Sequence, residues 1–353
     1  MEQTVDKEET TGGATEESKA GTAAATNGQG NGKVVLSVRN LQSYFFGQRG
    51  VGKAVDGVSF DLHEGETLGI VGESGCGKSV TMLSIMQLNP KPASRIVGGQ
   101  ILLNGEDLLQ KSSSEMRRVR GKSISMVLQD PMTALNPVLT VGNQLYEPLR
   151  LHQRLAGKNL FEKAIELMKS VRIPAPETRL GSFPHQFSGG MRQRAVGAIG
   201  LSCDPQVLIA DEPTTSLDVT VQAAYLALLK DLQKDRNLSI LFITHDFGIV
   251  ARMCDRVAVM YAGRIVELAD TRDLFSNPAH PYTEALVNSV PDVDERVDRL
   301  TSIDGQPPSI YAIGEGCPFA ARCAYVMDKC RETYPDQTVL EDGRAVSCWR
   351  YNE

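Results

Sequence analysis

The sequence predicts an α/β fold built on a mostly parallel β-sheet. Short β-rich runs recur from Val34 onward, and several are apolar on both faces, which is typical of buried parallel strands. These runs include TLGIVG, QVLIAD and SILFITHD. Helix-like segments such as SVTMLSIMQL separate them, as a crossover-connected sheet requires. Between about residues 131 and 203 the helix-like runs are broken by prolines and contain no strong strand, which predicts a helical subdomain.

Composition and charge favour a soluble globular protein. The chain has 353 residues, of which 41% are hydrophobic and 23% are charged, so it can bury a sizeable core. The net charge of −6 disfavours a nucleic-acid partner bound through a broad basic surface. No apolar run reaches the roughly 18 residues of a membrane-spanning helix, and the acidic start resembles no targeting peptide, so we expect a cytosolic protein.

Three regions follow one another along the chain. Residues 1–32 contain no large apolar side chain after Val5, which predicts a disordered tail. Residues 33–278 carry the strand and helix pattern of the α/β domain. Residues 279–353 are rich in turn-forming residues and contain four cysteines, which predicts a small C-terminal extension.

A phosphate-binding loop occupies Gly72 to Ser79, GESGCGKS, between a predicted strand and a predicted helix. Gly72, Gly75 and Gly77 let the backbone wrap around a β-phosphate, and Lys78 neutralises the β- and γ-phosphate oxygens. The hydroxyl of Ser79 ligates Mg²⁺. The predicted nucleotide contacts also include Ser74, Cys76 and Val80.

A second phosphate-binding turn lies far downstream of the first. In HQFSGGMRQR, Ser188, Gly189 and Gly190 come immediately before a helix-like run, which presents free backbone N–H groups to an anion. One chain therefore carries two such turns.

The segment QVLIADEPTTSLD supplies the acidic half of a nucleotide site. An apolar strand delivers Asp211 to the Mg²⁺ shell, and the adjacent Glu212 is placed to polarise an attacking water. A solvated acidic strand end is the alternative, and the phosphate loop in the same chain disfavours it.

The P-loop, FSGGM, DEPTTSLD and ITHD occur in the order that resembles an ABC-type ATPase subunit, over about residues 34–278. The resemblance implies a P-loop NTPase fold in which an antiparallel β subdomain and a helical subdomain flank the mostly parallel sheet. It also explains the two turns, because each ATP in this family is bound between the P-loop of one subunit and the Ser-Gly-Gly turn of another.

The resemblance implies further roles for single residues. Gln129, in MVLQDP, resembles the residue that contacts the metal and senses the transmembrane partner, and His245 resembles the switch histidine that contacts the γ-phosphate. Residues 216–218 resemble the D-loop. Phe45, with Tyr44 as its neighbour, aligns with the aromatic residue that stacks on adenine, although core packing would explain either ring.

The C-terminal segments NPAHPYTEALVNSVP, IDGQPPS and GCPFAARCAYVMDKC resemble the oligopeptide/dipeptide importer branch of this family. The branch implies ATP-driven peptide uptake at the cytoplasmic face of the membrane through two permease subunits. It further implies a related second ATPase subunit, forming a heterodimer, and a solute-binding protein that delivers the cargo.

Another transported solute, such as nickel or an oligosaccharide, stays an alternative. A soluble ABC protein without a transport role is disfavoured, because the chain has one cassette and no long coiled coil.

Four cysteines in the extension form a candidate metal site. Cys317, Cys323, Cys330 and Cys348 are separated by 5, 6 and 17 residues, without the C-x-x-C pairs of most zinc ribbons. Four thiolates can hold an iron–sulfur cluster, and the resemblance implies a [4Fe–4S] cluster on such cysteines. Zinc, four free thiols and a redox-sensing role for the extension are the alternatives.

Overall fold

A computed structural model of the protein describes residues 32–215, 217–290 and 303–352. The predicted disordered tail, residues 1–32, lies outside these ranges except for Gly32. The strands are β1 (Val34–Gly47), β2 (Gly50–His63), β3 (Thr67–Val71), β4 (Ser94–Leu103), β5 (Glu106–Asp107), β6 (Ile124–Val127), β7 (Val207–Asp211), β8 (Ser239–Ile243), β9 (Arg256–Tyr261), β10 (Arg264–Asp270), β11 (Thr338–Val339) and β12 (Ala345–Val346).

The helices lie between these strands. They are α1 (Lys78–Ile85), α2 (Ser113–Val119), α3 (Pro131–Ala134), α4 (Val141–Gln153), α5 (Gly157–Ser170), α6 (Pro176–Arg179), α7 (Gly189–Gly200), α8 (Val219–Arg236), α9 (Phe247–Met253), α10 (Thr271–Ser276), α11 (Pro281–Asn288) and α12 (Asp328–Glu332). None of the helices in the described ranges is long and apolar enough to span a bilayer.

An eight-stranded sheet forms the centre of the fold, in the order β11-β12-β10-β9-β3-β8-β7-β6. Strands β9, β3, β8, β7 and β6 are parallel, which confirms the predicted mostly parallel sheet. Every residue of β3, β7 and β8 is buried, because helices cover both faces of such a sheet. The carboxyl ends of these three strands meet at one edge, where ligands bind in folds of this class.

A second, antiparallel sheet has the order β2-β1-β4-β5. Its buried face contributes Leu36, Val38, Phe60 and Ile101 to the hydrophobic core that it shares with β3 and α1. This sheet is the antiparallel β subdomain of the predicted fold.

Helices α3 to α7 form the predicted helical subdomain, and no strand interrupts the described residues between 131 and 203. In α5 the buried positions are Leu160, Ala164, Leu167 and Met168, at the i, i+4, i+7 and i+8 spacing of an amphipathic helix. They pack onto α4 and α7.

The C-terminal extension joins the central sheet. Strand β12 pairs with β10 through Glu267↔Val346 and Leu268↔Ala345, and β11 pairs with β12. The sequence indicates no such pairing, since each of these strands has only two residues. The extension is therefore packed against the α/β domain.

Candidate active site

The loop from Gly72 to Ser79 connects β3 to α1, and its shape depends on glycine. Gly72 and Gly77 have φ angles of +147° and +108°, which side chains disfavour. A Cβ atom would lie 2.2 Å from the carbonyl oxygen of Met260 at Gly72 and 2.4 Å from that of Ala54 at Gly77. The tight backbone and the α1 N-terminus together form a concave set of N–H groups suited to a phosphate.

Lys78 lies across this loop. Its Nζ donates to the carbonyl oxygens of Gly72 at 2.7 Å and Glu73 at 3.1 Å. The other predicted loop contacts differ in exposure, since Ser74 and Gly75 are exposed whereas Cys76 is buried. Burial raises the pKa of the Cys76 thiol, which keeps it protonated. Val80 packs its half-buried side chain against the core beneath α1.

Ser79 and Asp211 meet at the base of the loop. The Ser79 hydroxyl donates to Oδ1 of Asp211 at 3.3 Å, although the two residues are far apart in sequence. Asp211 is buried at the end of β7, and burial raises the pKa of its carboxyl. A divalent cation would stabilise the ionised carboxylate, so the hydroxyl and carboxylate oxygens suit Mg²⁺.

Glu212 is held by three side-chain contacts. Its Oε2 accepts hydrogen bonds from Nε2 of Gln129 at 2.8 Å and Oγ1 of Thr215 at 3.1 Å. Its Oε1 lies 3.1 Å from Nδ1 of His245. The φ angle of Glu212 is +43°, a left-handed conformation that costs a non-glycine residue about 1 kcal/mol or more and is found at functional sites.

The predicted third Mg²⁺ ligand, Gln129, thus contacts Glu212 in the described structure. Thr215, the remaining donor to that carboxylate, was not among the residues predicted from the sequence. It lies in the DEPTT segment three positions after Glu212, so the motif itself contained this signal.

The second phosphate-binding turn caps α7. The Ser188 hydroxyl accepts the backbone N–H of Met191 at 3.4 Å, which leaves the N–H groups of Gly189 and Gly190 at the helix start. A Cβ at Gly190 would lie 2.5 Å from Cγ1 of Val221, so α7 and α8 approach closely there. Across the described ranges, no hydrogen bond or ion pair joins residues 188–190 to residues 72–79.

The predicted D-loop precedes α8. Leu217 packs against the core, and Asp218 caps α8 by accepting the backbone N–H of Val221 at 2.9 Å. Ser216 lies outside the described residues.

The two candidate adenine-stacking residues occupy different environments. The Tyr44 hydroxyl donates to Oδ1 of Asp56 at 2.5 Å, and Arg264 binds the other oxygen of that carboxylate at 2.6 Å. Burial and the bond to Asp56 raise the pKa of Tyr44 to about 12. Phe45 is half-buried and lies opposite Gly52 in the β1–β2 ladder. Phe45 is therefore the less constrained ring.

Four exposed apolar residues flank Gln129 in the sequence. Val138 is 76% exposed and Met132 is 60% exposed, and both lie close in sequence to the exposed Leu128 and Leu139. Single exposed apolar residues are ordinary, whereas four within twelve positions suit a protein interface.

All four cysteines of the extension line one small cavity, together with Phe319 and Trp349. Their thiols are free, and the backbone N–H of Cys317 donates to the carbonyl oxygen of Cys330 at 2.7 Å. Burial raises the pKa of Cys317 to about 11, and it also raises the pKa values of Cys323 and Cys348. The described residues contain no group of three or more His, Cys, Asp or Glu side chains arranged to hold a metal ion.

One contact between the extension and the phosphate loop has no signal in the sequence. Arg322 forms a bidentate ion pair with Glu73, the second residue of the loop, at 2.7 and 2.9 Å. The backbone N–H of Glu73 also donates to the hydroxyl of Tyr282 at 2.8 Å. Residues from the C-terminal part of the chain therefore contact the predicted phosphate site directly.

Comparisons with known proteins agree with this geometry. Residues 55–215 match the family described as ABC transporter, and residues 266–330 match the oligopeptide/dipeptide transporter C-terminal region. The chain is 51% identical to a probable peptide ABC transporter ATP-binding protein, y4tR, of Sinorhizobium fredii, over 91% of this chain and 96% of that protein. It is 52% identical to the dipeptide transport ATP-binding protein DppD of Bacillus subtilis, over 89% and 94% of the two chains.

Solved structures show the same fold. The ATP-binding cassette MJ0796 in a dimeric post-hydrolysis state with ADP and Pi has a TM-score of 0.60 and 25% identity, and the match covers 67% of this chain and 99% of that one. The structure of cbiO1 from Clostridium perfringens, part of the ABC transporter complex cbiONQ, has a TM-score of 0.59 and 27% identity, over 69% and 91% of the two chains.

Proposed function

Because this chain belongs to the ABC transporter family of ATP-binding proteins, we propose that it hydrolyses ATP to power the import of di- and oligopeptides through separate permease subunits. The observation that carries the catalytic part is the Glu212 carboxylate, which follows the buried Asp211 and accepts contacts from Gln129, Thr215 and His245.

The phosphate loop binds ATP through its backbone N–H groups and Lys78. When ATP binds, the Nζ of Lys78 exchanges its contacts with the carbonyl oxygens of Gly72 and Glu73 for contacts with phosphate oxygens. The exchange is favourable because a hydrogen bond from an ammonium group is stronger to a charged phosphate than to a neutral carbonyl. Ser79 and Asp211 hold Mg²⁺, which when bound offsets negative charge on the phosphoryl group. Phe45, with Tyr44 beside it, contacts the adenine ring.

Glu212 acts as the general base that accepts a proton from the attacking water. Its positive φ angle and three side-chain contacts keep the carboxylate in one orientation, which reduces the cost of reaching a reactive geometry. Gln129 and His245 both contact the Glu212 carboxylate. Each can exchange this contact for one with the nucleotide when ATP binds, and so couple ATP binding to the rest of the assembly.

The Ser188 turn acts on ATP bound by a second ATPase subunit. Support comes from the lack of hydrogen bonds and ion pairs between residues 188–190 and residues 72–79 in the described ranges, and from the dimeric state of the MJ0796 cassette. The free N–H groups at the start of α7 then complete the partner's phosphate site, and its own Ser-Gly-Gly turn completes this one. A related, non-identical subunit is the proposed partner.

The permease subunits dock on the exposed apolar residues Leu128, Met132, Val138 and Leu139. These residues flank Gln129 in the sequence, and Gln129 contacts Glu212, so a shift at the interface reaches the catalytic carboxylate through one side chain. The chain is then a peripheral subunit at the cytoplasmic face of the membrane, working with two permeases and, indirectly, with an extracytoplasmic solute-binding protein.

Peptides are the proposed cargo because the C-terminal region and the two peptide-transport relatives share that designation. The test is uptake by vesicles that contain the chain, its permeases and its binding protein. We expect ATP-dependent accumulation of a labelled dipeptide that is lost with Glu212→Gln. Accumulation of Ni²⁺ or an oligosaccharide instead would assign a different cargo to the same machine.

Cys317, Cys323, Cys330 and Cys348 hold a [4Fe–4S] cluster that staples the extension. The supporting observation is the common cavity lined by four reduced thiols, with the backbone N–H of Tyr325 donating to Cys323 at 3.4 Å. A cubane cluster takes one thiolate per iron, so its ligands need not surround a single ion, as zinc would require. Zinc is the alternative occupant.

A further inference from the structure

Arg322 is buried and fully hydrogen-bonded where the extension meets the phosphate loop. Its side chain is only 4% exposed. Each of the five N–H donors of the guanidinium group has an acceptor. Nη1 donates to Glu73 at 2.7 Å and to the Tyr261 hydroxyl at 3.3 Å, Nη2 to Glu73 at 2.9 Å and to the Ile303 carbonyl at 3.2 Å, and Nε to the Asp304 carbonyl at 2.9 Å.

Glu73 supplies the only charge that offsets this buried cation among the five acceptors. A buried arginine without a counter-charge destabilises the folded state, so the ion pair favours keeping the Glu73 carboxylate at this position. The bidentate geometry fixes the direction of the Glu73 side chain as well as its distance. The position of the second residue of the phosphate loop is therefore set by a residue of the extension.

Three buried aromatic rings pack beside this ion pair. Tyr261, Tyr282 and Phe319 are buried, with ring centroids 4.6 to 5.3 Å apart. The Arg322 guanidinium lies 5.8 Å from the Tyr261 ring and 5.9 Å from the Phe319 ring. Tyr282 also accepts the backbone N–H of Glu73 at 2.8 Å, so this cluster holds both the backbone and the side chain of one loop residue.

The same loop residue reaches the phosphate-binding lysine. The Glu73 carbonyl accepts Nζ of Lys78 at 3.1 Å and the backbone N–H of Cys76 at 3.3 Å. Arg322, Glu73 and Lys78 thus form a continuous chain of polar contacts from the extension into the loop.

We infer that Arg322 is a positioning residue for ATP binding, which holds the phosphate loop in its binding shape through Glu73 and keeps the Glu73 carboxylate turned away from the phosphates. The inference rests on the proposed role of loop 72–79 as the phosphate site. Two physical effects combine. A loop that is ordered before ATP arrives binds with a smaller entropic cost, and a neutralised carboxylate does not repel a polyanion.

The test measures MgATP affinity of the full-length chain by calorimetry for Glu73→Gln, Arg322→Met and the double variant, together with thermal unfolding without nucleotide. We expect each single variant to raise the dissociation constant about tenfold. The double variant should raise the dissociation constant no further than the single variant that binds ATP less tightly, because both substitutions break the same ion pair. A purely structural role of Arg322 would lower the unfolding midpoint without this non-additivity in ATP affinity.

Asp342→Asn is the matched control, since Asp342 pairs with another buried arginine of the extension, Arg344, at 2.6 Å. It lies between β11 and β12, and its side-chain contacts in the described residues are with Arg344 alone. We expect its dissociation constant to stay within twofold of wild type. If Arg322→Met does not fold, Glu73→Gln carries the comparison, because it leaves Arg322 in place.

Lys78→Ala separates the two levels of the proposal. If Lys78→Ala loses ATP binding while Glu73→Gln and Arg322→Met stay within twofold of wild type, the loop is the phosphate site and the positioning role of Arg322 is wrong. If Lys78→Ala binds ATP as wild type does, the assignment of the loop itself fails, and the inference fails with it.

Discussion

The Nδ1 atom of His245 lies 3.1 Å from Oε1 of Glu212, and the two residues follow adjacent parallel strands, β8 and β7. The contact places an imidazole ring against the carboxylate of the proposed general base. It joins the residues that follow two neighbouring strands of the central sheet.

Glu212→Gln should abolish hydrolysis while retaining ATP binding. The amide keeps the size and hydrogen-bonding capacity of the side chain but cannot accept a proton, so we expect turnover to fall by about 10²- to 10⁴-fold. Phosphate release by the assembled transporter measures turnover, and calorimetry measures binding. Glu332→Gln, an exposed glutamate of α12, is the control. Hydrolysis at a near-normal rate would remove Glu212 from the role of base.

Ser188→Arg should block ATP-driven dimerisation and leave ATP affinity of the isolated chain unchanged. The bulky cation would occupy the space at the start of α7 that a partner's phosphates require. Sedimentation in the Glu212→Gln background measures the dimer. Ser112→Arg is the control, because Ser112 caps α2 by the same type of bond and its loss should cost a similar amount of stability, about 1 kcal/mol. A large loss of affinity in the monomer would contradict action across the subunit interface.

Cys323→Ser should release iron and acid-labile sulfide from anaerobically purified protein that otherwise contains both in near-equal amounts. Ligand bonds stabilise a segment with little apolar core, so amide hydrogen exchange of residues 303–352 should increase. Cys203→Ser, at a buried thiol outside the cavity, is the control. Colourless protein with stoichiometric zinc would replace the cluster by zinc, and metal-free protein with four titratable thiols would exclude both.

The stability of the chain should fall as pH drops below 6.5, partly because of His280. Its ring is fully buried, its Nδ1 accepts the backbone N–H of Tyr282 at 3.0 Å, and burial lowers its pKa to about 3. In the unfolded chain the pKa is about 6.5, so between these values only the unfolded state binds the proton, and folding becomes less favourable as pH falls.

The measurement is urea unfolding of wild type and His280→Asn at pH 7 and pH 5. Asparagine keeps a cap acceptor for α11 but does not titrate. Relative to the variant, wild type should lose about 2 kcal/mol of unfolding free energy over this interval. Titration of carboxylates common to both proteins cancels in the comparison. A difference that stays constant with pH would show that His280 titrates alike in both states.

Local sequence pattern was enough to predict the central sheet and the phosphate loop. An apolar strand, a glycine-rich turn and a helix are contiguous in the chain, so β3, residues 72–79 and α1 follow from nearest-neighbour preferences. The meeting of Ser79 with Asp211 also follows, because the loop that leads to Ser79 leaves the carboxyl end of β3 and Asp211 ends β7, and both strands belong to one parallel sheet.

Other features depend on contacts that no local pattern encodes. Arg322 and Glu73 are 249 positions apart, and neither belongs to a motif with a spacing that indicates the other. The left-handed conformation of Glu212 is equally hidden, since propensity alone disfavours it there. The tertiary packing of the surrounding strands and rings outweighs these preferences.

The pairing of β12 with β10 has a consequence for how the protein is synthesised. Translation produces β10 well before residues 345–346, so while the remaining extension is being made the nascent chain carries an open sheet edge on β10, on the side opposite β9. Unpaired edge strands are templates for association with other chains. Release of a chain truncated before β12 would leave that edge exposed, and such fragments should aggregate even though the phosphate loop, Asp211 and Glu212 are all present in them.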